Sequence, residues 1–215
     1  MSFTRFDEIW ARKEHFQYYR NQLKCSYSLT APLDVTSFRH MLDRENLRFY
    51  PAFVYCVSMV IEKTPEFKMG LDDSNCPGYY DCMHPSYTIF HPDDRTFSDV
   101  WTYYHKDFRI FYHHMTDDIS IYRNQKGVKV KPNQPCNFYC ISCVPWLSYT
   151  GYSTAVSGGE PNLFPIITFG KYQWQKDRLL MPFTVTISHA AADGYHTSKF
   201  INDLQELCNH IQLSK

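Results

Sequence analysis

Apolar residues recur at helical spacing in several parts of the chain. One such face follows Asp34, a residue type that caps helix N-termini, and consists of Val35, Phe38, Met41 and Leu42. Pro51 opens PAFVYCVSMVIEK, which is apolar on most sides and ends before Pro65, so a buried helix is predicted. Helices are also predicted over 97–122 and in the C-terminal segment, whose apolar face comprises Ile201, Leu204, Leu207, Cys208 and Ile211.

Short apolar or alternating runs bounded by turn residues predict strands. They cover residues 79–82, 87–90, 137–144, 149–156, 166–172 and 178–189. Helices that pack on such a set of strands define an α+β protein with a largely antiparallel sheet. The chain shows no internal repeat and no linker-like tract, so a single domain over residues 1–215 is expected.

Charge and composition narrow the class of protein. The 22 basic residues balance the 22 acidic ones, which argues against binding of nucleic acid or of an anionic membrane. No stretch approaches the roughly 20 apolar residues of a spanning helix. The N-terminal segment mixes acids and bases, unlike a signal peptide. A soluble, cytoplasmic protein is therefore expected, and its 17% aromatic content indicates a large apolar interior or an aromatic-lined pocket.

The spacing of Cys140 and Cys143 is that of redox and zinc sites, but its surroundings are not. Both residues lie in the apolar run NFYCISCVPW, which predicts a strand, and residues three apart on a strand point to opposite faces. The chain has no second CxxC and no nearby HxxxH. We therefore expect ordinary buried thiols and no metal site.

The segment MPFTVTISHAAADGYH carries the clearest chemical signal. His189 extends the apolar face of the predicted strand that comprises Phe183, Val185 and Ile187. Burial there favours the neutral imidazole, which can act as a base. Asp193 lies four residues on, where it could orient the histidine. Spacing alone leaves open a second interpretation, a core histidine bonded to a backbone carbonyl.

Further motifs extend this signal along the chain. HAAADGYH is followed by KFINDLQELC, and the preceding segments, in order, are WARKEHFQYYR, FYPAFVY, TIFH, TFS, CISCVPW, FPIITFGKYQ and RLLMPFTV. In identity, order and near-spacing these motifs resemble the chloramphenicol acetyltransferase family. The resemblance covers essentially the whole chain and is looser around residues 112–135.

The resemblance implies an enzyme that acetylates chloramphenicol with acetyl-CoA as co-substrate and confers antibiotic resistance. It implies a homotrimer whose subunits are two-layer sandwiches built around a mixed sheet, with active sites at the subunit interfaces. It implies neither a permanently bound cofactor nor a metal. His189 matches the base that takes the proton from the 3-hydroxyl of chloramphenicol, which attacks the thioester directly. Ser142 matches the serine that hydrogen-bonds the tetrahedral intermediate, and Thr168 matches a threonine that acts through ordered water.

Other positions match the family's supporting and binding residues. Asp193 matches an aspartate with a structural role, in an ion pair with the arginine that is here Arg12. The acceptor pocket of the family corresponds to Tyr19, Leu23, Cys25, Tyr27, Phe97, Tyr152, Thr154, Val156 and Ile166. The coenzyme side corresponds to Lys171 and Tyr172.

Two departures from the family pattern keep other functions open. Ser188 stands where a second histidine is usual, but by strand parity it faces away from His189. In YTGYSTAVSGG, Gly151 and Thr154 make the acceptor wall smaller and more polar, which would suit a different small alcohol. A non-catalytic trimeric binding protein is a third interpretation, and the joint presence of the five matched catalytic and supporting residues argues against it.

Overall fold

The computed structural model describes residues 2–154 and 161–214. Within these ranges the helices are α1 (Lys13–Asn21), α2 (Thr36–Arg44), α3 (Phe49–Glu62), α4 (Phe108–Tyr122) and α5 (Gly194–His210), with a short 3-10 helix at Pro65–Lys68. The strands are β1 (Phe3–Arg5), β2 (Ser26–Asp34), β3 (Met69–Leu71), β4 (Pro77–Tyr80), β5 (His84–His91), β6 (Thr96–Trp101), β7 (Phe138–Val144), β8 (Ile166–Gly170), β9 (Gln173–Gln175) and β10 (Arg178–Ser188).

One large mixed sheet organises the fold. Its strand order is β2-β10-β8-β7-β5-β6, and β9 pairs with the beginning of β10. β7 runs parallel to β5 and β8, whereas the other pairs in this sheet are antiparallel. β1, β4 and β3 form a small separate sheet. The predicted α+β class with a mixed, largely antiparallel sheet is thereby confirmed.

One face of the large sheet is apolar and packs against the helices. Phe183, Val185 and Ile187 of β10 point to this face, as the strand parity predicts, and all three are fully buried. Phe53 of α3 lies at the centre of the resulting layer. Its ring packs on Phe169 and Phe183 of the sheet, with centroids 4.9 and 6.0 Å away. No helix in the described part of the chain is long and apolar enough to cross a membrane.

The opposite face of the sheet carries a row of hydroxyl groups, which we call the hydroxyl row. It crosses four strands in register, through Thr30, Thr184, Thr168 and Ser142. The hydroxyls of Thr30 and Thr184 lie 2.8 Å apart. We call this side the hydroxyl face, since alternation along each strand sends the apolar side chains to the helices and the hydroxyls away from them.

Three sequence predictions were wrong in detail. Asp34 ends β2 and Val35 is the N-cap of α2, although the Asp34 carboxylate still accepts the Thr36 N–H at 3.0 Å. The stretch 97–122 divides into β6 and α4. Its aromatic residues fit the strand period as well as the helix period, so the pattern did not reveal the division. Residues 149–154 form no strand, and 155 and 156 lie outside the described residues.

We expect Phe53→Ala to lower the free energy of unfolding by about 3–5 kcal/mol, because it leaves a cavity among aromatic rings that have little room to relax. Equilibrium urea unfolding measures this loss. The matched control is Ile121→Ala on α4, whose side chain is 61% exposed. It should change the stability by no more than about 0.5 kcal/mol. Equal effects of the two changes would contradict the assignment of Phe53 to the core.

Candidate active site

His189 is the first residue after β10 and is fixed from several directions. Its backbone N–H donates to the Cys25 carbonyl at 3.0 Å. Its half-buried ring stacks on Tyr19, with centroids 3.8 Å apart and planes within 6°. The Tyr27 ring is also close, with its centroid 5.3 Å away and its plane tilted by 60°. Nδ1 of His189 is buried and makes no hydrogen bond within the described residues. The ring is therefore held by packing and by its backbone.

Arg12 joins this turn to the N-terminus of α5. Its Nη1 forms an ion pair with Oδ2 of Asp193, and the Arg12 side chain is 11% exposed. Its Nη2 donates to the His189 carbonyl at 3.1 Å and reaches the Ala190 carbonyl at 3.5 Å. Asp193 is the N-cap of α5, and its Oδ1 accepts the Tyr195 N–H at 3.1 Å. Arg12 thus clamps the backbone from which the His189 ring projects.

The surroundings of Asp193 stabilise its charged form. Burial acts to raise the pKa of this carboxyl group, but nearby positive charge and hydrogen bonds outweigh it, and the net pKa lies below the usual value. The opposing contributions come from His196 and Arg12 and from the backbone N–H of Tyr195.

Ser142 and Thr168 are register partners on adjacent parallel strands. Thr168 is almost fully buried, and its carbonyl accepts the Tyr149 hydroxyl at 2.7 Å. Both residues belong to the hydroxyl row, whereas the His189 ring packs beside Tyr27 on the helix side of the sheet. Within one chain, His189 and Ser142 therefore lie on opposite faces of the sheet.

The positions matched to the acceptor pocket fall into two groups. Tyr19 and Tyr27 contact the His189 ring, and Cys25 and the 54%-exposed Leu23 lie on the adjoining segment. The second group lies on or beside the hydroxyl face and consists of Phe97, Tyr152, Thr154 and Ile166. Val156 is outside the described residues.

A cleft of about 230 Å³ opens on the hydroxyl face and brings Thr154 and Ile166 together with Cys25. Ser26, Thr186, Ser188 and Asn162 add polar groups to its lining. Phe97 is on β6, three strands beyond β8 along the sheet, where it pairs with Phe90 of β5. The structure therefore gathers only part of the acceptor set in this cleft.

Lys171 and Tyr172 lie in a separate cleft of about 270 Å³. Phe169 and Met181 contribute apolar side chains of the helix-facing side to its wall, and Phe49 lies 5.4 Å from the Tyr172 ring. The two clefts thus open on opposite sides of the sheet.

Gly170 sets how closely the segment after β7 approaches the sheet. A Cβ atom there would lie 2.7 Å from the Leu147 carbonyl and 2.9 Å from the Tyr149 ring. The Lys171 N–H donates to that same carbonyl at 2.9 Å. The Tyr149 hydroxyl, which binds the Thr168 carbonyl, also lies 3.2 Å from the Thr184 hydroxyl.

Cys140 and Cys143 lie in β7 as predicted and point to opposite faces. Burial raises the pKa of the Cys140 thiol to about 11 and that of the Cys143 thiol to about 12. These thiols stay protonated at neutral pH, which is unlike a redox pair. Across the residues that the structure describes, no group of three or more His, Cys, Asp or Glu is placed to hold a metal ion.

Sequence reasoning missed two polar residues at the site, Tyr149 and His196. Tyr149 was assigned to a strand, and nothing in the sequence marks its hydroxyl as a partner of the sheet backbone. His196 forms a capping box with Asp193, and the D-x-x-H spacing before an apolar helical face was an available signal.

The site geometry can now be set beside known proteins. The family model described as "Chloramphenicol acetyltransferase" matches residues 1–205. A chloramphenicol acetyltransferase of Clostridium butyricum is 40% identical over 99% of this chain and 97% of its own length. One from Clostridium perfringens is 37% identical over the same shares. A solved chloramphenicol acetyltransferase structure superposes with a TM-score of 0.83, at 23% identity, over 95% of this chain and 99% of that one.

A family model over nearly the whole chain and relatives at this identity agree with each other. These matches define the protein as an acyltransferase. The chain belongs to the chloramphenicol acetyltransferase family. Membership supports acetyl transfer to chloramphenicol and implies acetyl-CoA as co-substrate.

We expect Asp193→Asn to lower the free energy of unfolding by about 1–3 kcal/mol at pH 7, because Arg12 loses its counter-charge while the cap is kept. The lowered pKa of Asp193 means that its contribution is present above the unfolded value of about 3.9 and is lost as the pH falls through the folded value. The difference between wild type and variant should therefore shrink below about pH 4.

Urea unfolding at several pH values tests this expectation. The control is Asp203→Asn, which removes an exposed i,i+4 pair with Lys199 from the same helix. It should cost less than about 0.5 kcal/mol. A cost for Asp193→Asn no greater than the control's would show that the pair with Arg12 is not stabilising.

Proposed function

We propose that the protein transfers an acetyl group from acetyl-CoA to the 3-hydroxyl of chloramphenicol in a ternary complex, within a single domain over residues 1–215. The observation that carries this proposal is the fixed His189 ring, stacked on Tyr19 and held through its backbone by Arg12 and Cys25. A base held in this way spends little ordering entropy when the alcohol arrives.

In the proposed reaction an unprotonated ring nitrogen of His189 takes the proton of the acceptor hydroxyl. The alcohol oxygen bonds to the thioester carbonyl carbon, and the carbonyl oxygen becomes an oxyanion. Ser142 donates a hydrogen bond to that oxyanion, supported by Thr168 beside it in the hydroxyl row. The C–S bond then breaks, and the coenzyme A thiolate recovers the proton from His189. No acyl-enzyme forms, so no nucleophilic side chain is required.

We further propose that the enzyme is a homotrimer in which each site is shared by two copies. A single chain has His189 and Ser142 on opposite faces of the sheet. Tyr19 and Tyr27, which contact the His189 ring, are likewise apart from the acceptor positions on the hydroxyl face, and Cys25 borders both groups. A neighbouring copy whose hydroxyl face meets His189 would bring its Ser142 next to His189. It would also join the two groups of acceptor residues. Exposed aromatic rings on that face, Phe90 and Phe97, are suited to such an interface.

The cleft with Lys171 and Tyr172 would receive the coenzyme, and the cleft with Thr154 and Ile166 would receive the acceptor. Their openings on opposite sides suit two substrates that approach from opposite directions. Acetylation of the hydroxyl would inactivate the antibiotic and confer resistance, and the reaction would take place in the cytoplasm.

A second candidate is acetylation of a different small alcohol by the same machinery. The observation that favours it is the polar lining of the acceptor cleft, where Thr154 lies with Thr186, Ser188 and Asn162. Gly151 is exposed, and a Cβ atom there would meet nothing within 4 Å. A more polar acceptor than chloramphenicol would bind such a cleft through hydrogen bonds.

The first test follows acetylated chloramphenicol by chromatography, because eight native thiols would disturb a thiol-reagent readout. We expect product from wild type and a loss of at least about 10²-fold in kcat for a folded His189→Ala, because general-base catalysis typically contributes 10²–10⁴. No product from wild type, with turnover of another alcohol, would overturn chloramphenicol as substrate and favour the second candidate.

The shared site is tested by co-expression of His189→Ala with Ser142→Ala. Each variant alone should be at least about 10²-fold slower than wild type. Mixed assemblies should regain activity, because about one quarter of random interfaces would unite an intact His189 with an intact Ser142. Activity no higher than that of the separate variants would show that both residues act within one chain.

A further inference from the structure

His196 holds the oxygen of Asp193 that Arg12 does not use. Its Nδ1 lies 2.8 Å from Oδ1 of Asp193, to which the ring donates when Nδ1 carries the proton, and 3.3 Å from the Asp193 backbone nitrogen. On the far side of the ring, Nε2 lies 3.5 Å from Oε1 of Glu66. The imidazole therefore bridges two carboxylates, one at the start of α5 and one on the short 3-10 helix.

The bridge is partly sheltered from solvent, which distinguishes it from an ordinary surface pair. The side chains of His196 and Glu66 are 18% and 25% exposed. The same helix ends with His210 and Glu206, whose contact at 3.2 Å is 72% and 73% exposed. Solvent screens the second pair far more than the first. α5 thus carries a sheltered histidine bridge at its beginning. The exposed pair of His210 and Glu206 at its end serves as a matched control.

A continuous chain of contacts leads from this bridge to the backbone of His189. Asp193 receives His196 on Oδ1 and Arg12 on Oδ2. Arg12 in turn donates to the His189 carbonyl at 3.1 Å. This series of contacts joins the 3-10 helix, the N-terminus of α5 and the segment before α1 to the turn that carries the His189 ring. His196 makes no contact with that ring and can act on it only through Asp193 and Arg12.

We propose that His196, supported by Glu66, is a positioning residue for the acetyl transfer proposed above, on which this inference rests. It holds the Asp193 carboxylate in the orientation that keeps Arg12 on the His189 carbonyl. Without it, the Asp193 carboxylate keeps the backbone N–H groups at the start of α5 and the ion pair with Arg12, but it loses its side-chain partner on Oδ1. Its orientation is then less firmly fixed, and the clamp on His189 loosens. A small displacement of a catalytic base lowers turnover while the substrate clefts stay intact.

The first arm of the test measures kcat and KM for both substrates. His196→Ala should lower kcat by about tenfold, since misplacement from a remote change costs up to 10². Both KM values should stay within about twofold of wild type. His196→Gln should recover most of kcat, because the N–H groups of the glutamine side-chain amide can donate to the same carboxylate oxygen. Glu66→Gln should lower kcat less, in the same direction, and His210→Ala should leave it unchanged.

The second arm needs no turnover. Amide hydrogen exchange reports the turn directly, through the His189 N–H bonded to Cys25 and the Ala191 and Ala192 N–H groups bonded to Ser188. Exchange in this turn should be faster in His196→Ala and Glu66→Gln than in His210→Ala. If kcat and exchange in His196→Ala both match His210→Ala, the inference is overturned.

The two arms separate the two proposals. If the wild type does not acetylate chloramphenicol, the proposed function is overturned. Hydrogen exchange in the turn then tests by itself whether His196 is coupled to the backbone of His189. If His196→Ala does not fold, kcat and exchange in Glu66→Gln decide instead, because this change weakens only the contact between Glu66 and Nε2 of His196. If His196→Gln does not recover kcat, the proposed role of the hydrogen bond from the His196 side chain to the Asp193 carboxylate is contradicted.

Discussion

The continuous pairing of β10 is the constraint on which the rest of the structure depends. This strand pairs with β2 from Leu180 to Ser188 and with β8 on its other side. Its register sends phenylalanine, valine and isoleucine to the helices and threonine hydroxyls to the opposite face. Since pairing stops at Ser188, His189 is the first residue free to turn, and its N–H still bonds to the segment that leads into β2. The same register thus builds the core and places the candidate base.

The sequence pattern predicted the elements whose burial is one-sided or complete. α3, α5, β7, β8 and β10 were found because their apolar residues are continuous or strictly periodic. α1 and β2 were missed for the opposite reason. α1 buries only Phe16, and β2 lies at the edge of the sheet, where most of its side chains stay partly exposed. Edge and surface elements are fixed by tertiary contacts, and no local period marks them.

The candidate site divides in a similar way. His189 and Asp193 stand four residues apart, so the sequence could pair them, but Arg12 is 181 residues from Asp193 and was indicated only by family resemblance. Ser142 and Thr168 were likewise indicated by resemblance, because hydroxyls in strands are common. That His189 and Ser142 occupy opposite faces follows from strand pairing, which no spacing along the chain reveals.

The close approach at Gly170 has a consequence for which parts of the chain tolerate substitution. The segment after β7 is anchored by backbone contact at Gly170 and by the Tyr149 hydroxyl, both at its sheet-side end. The positions that follow, from Gly151 to Thr154, lie beyond these contacts and take little part in the core. Substitutions there should therefore cost little stability, whereas a side chain at position 170 would push the segment away from the sheet.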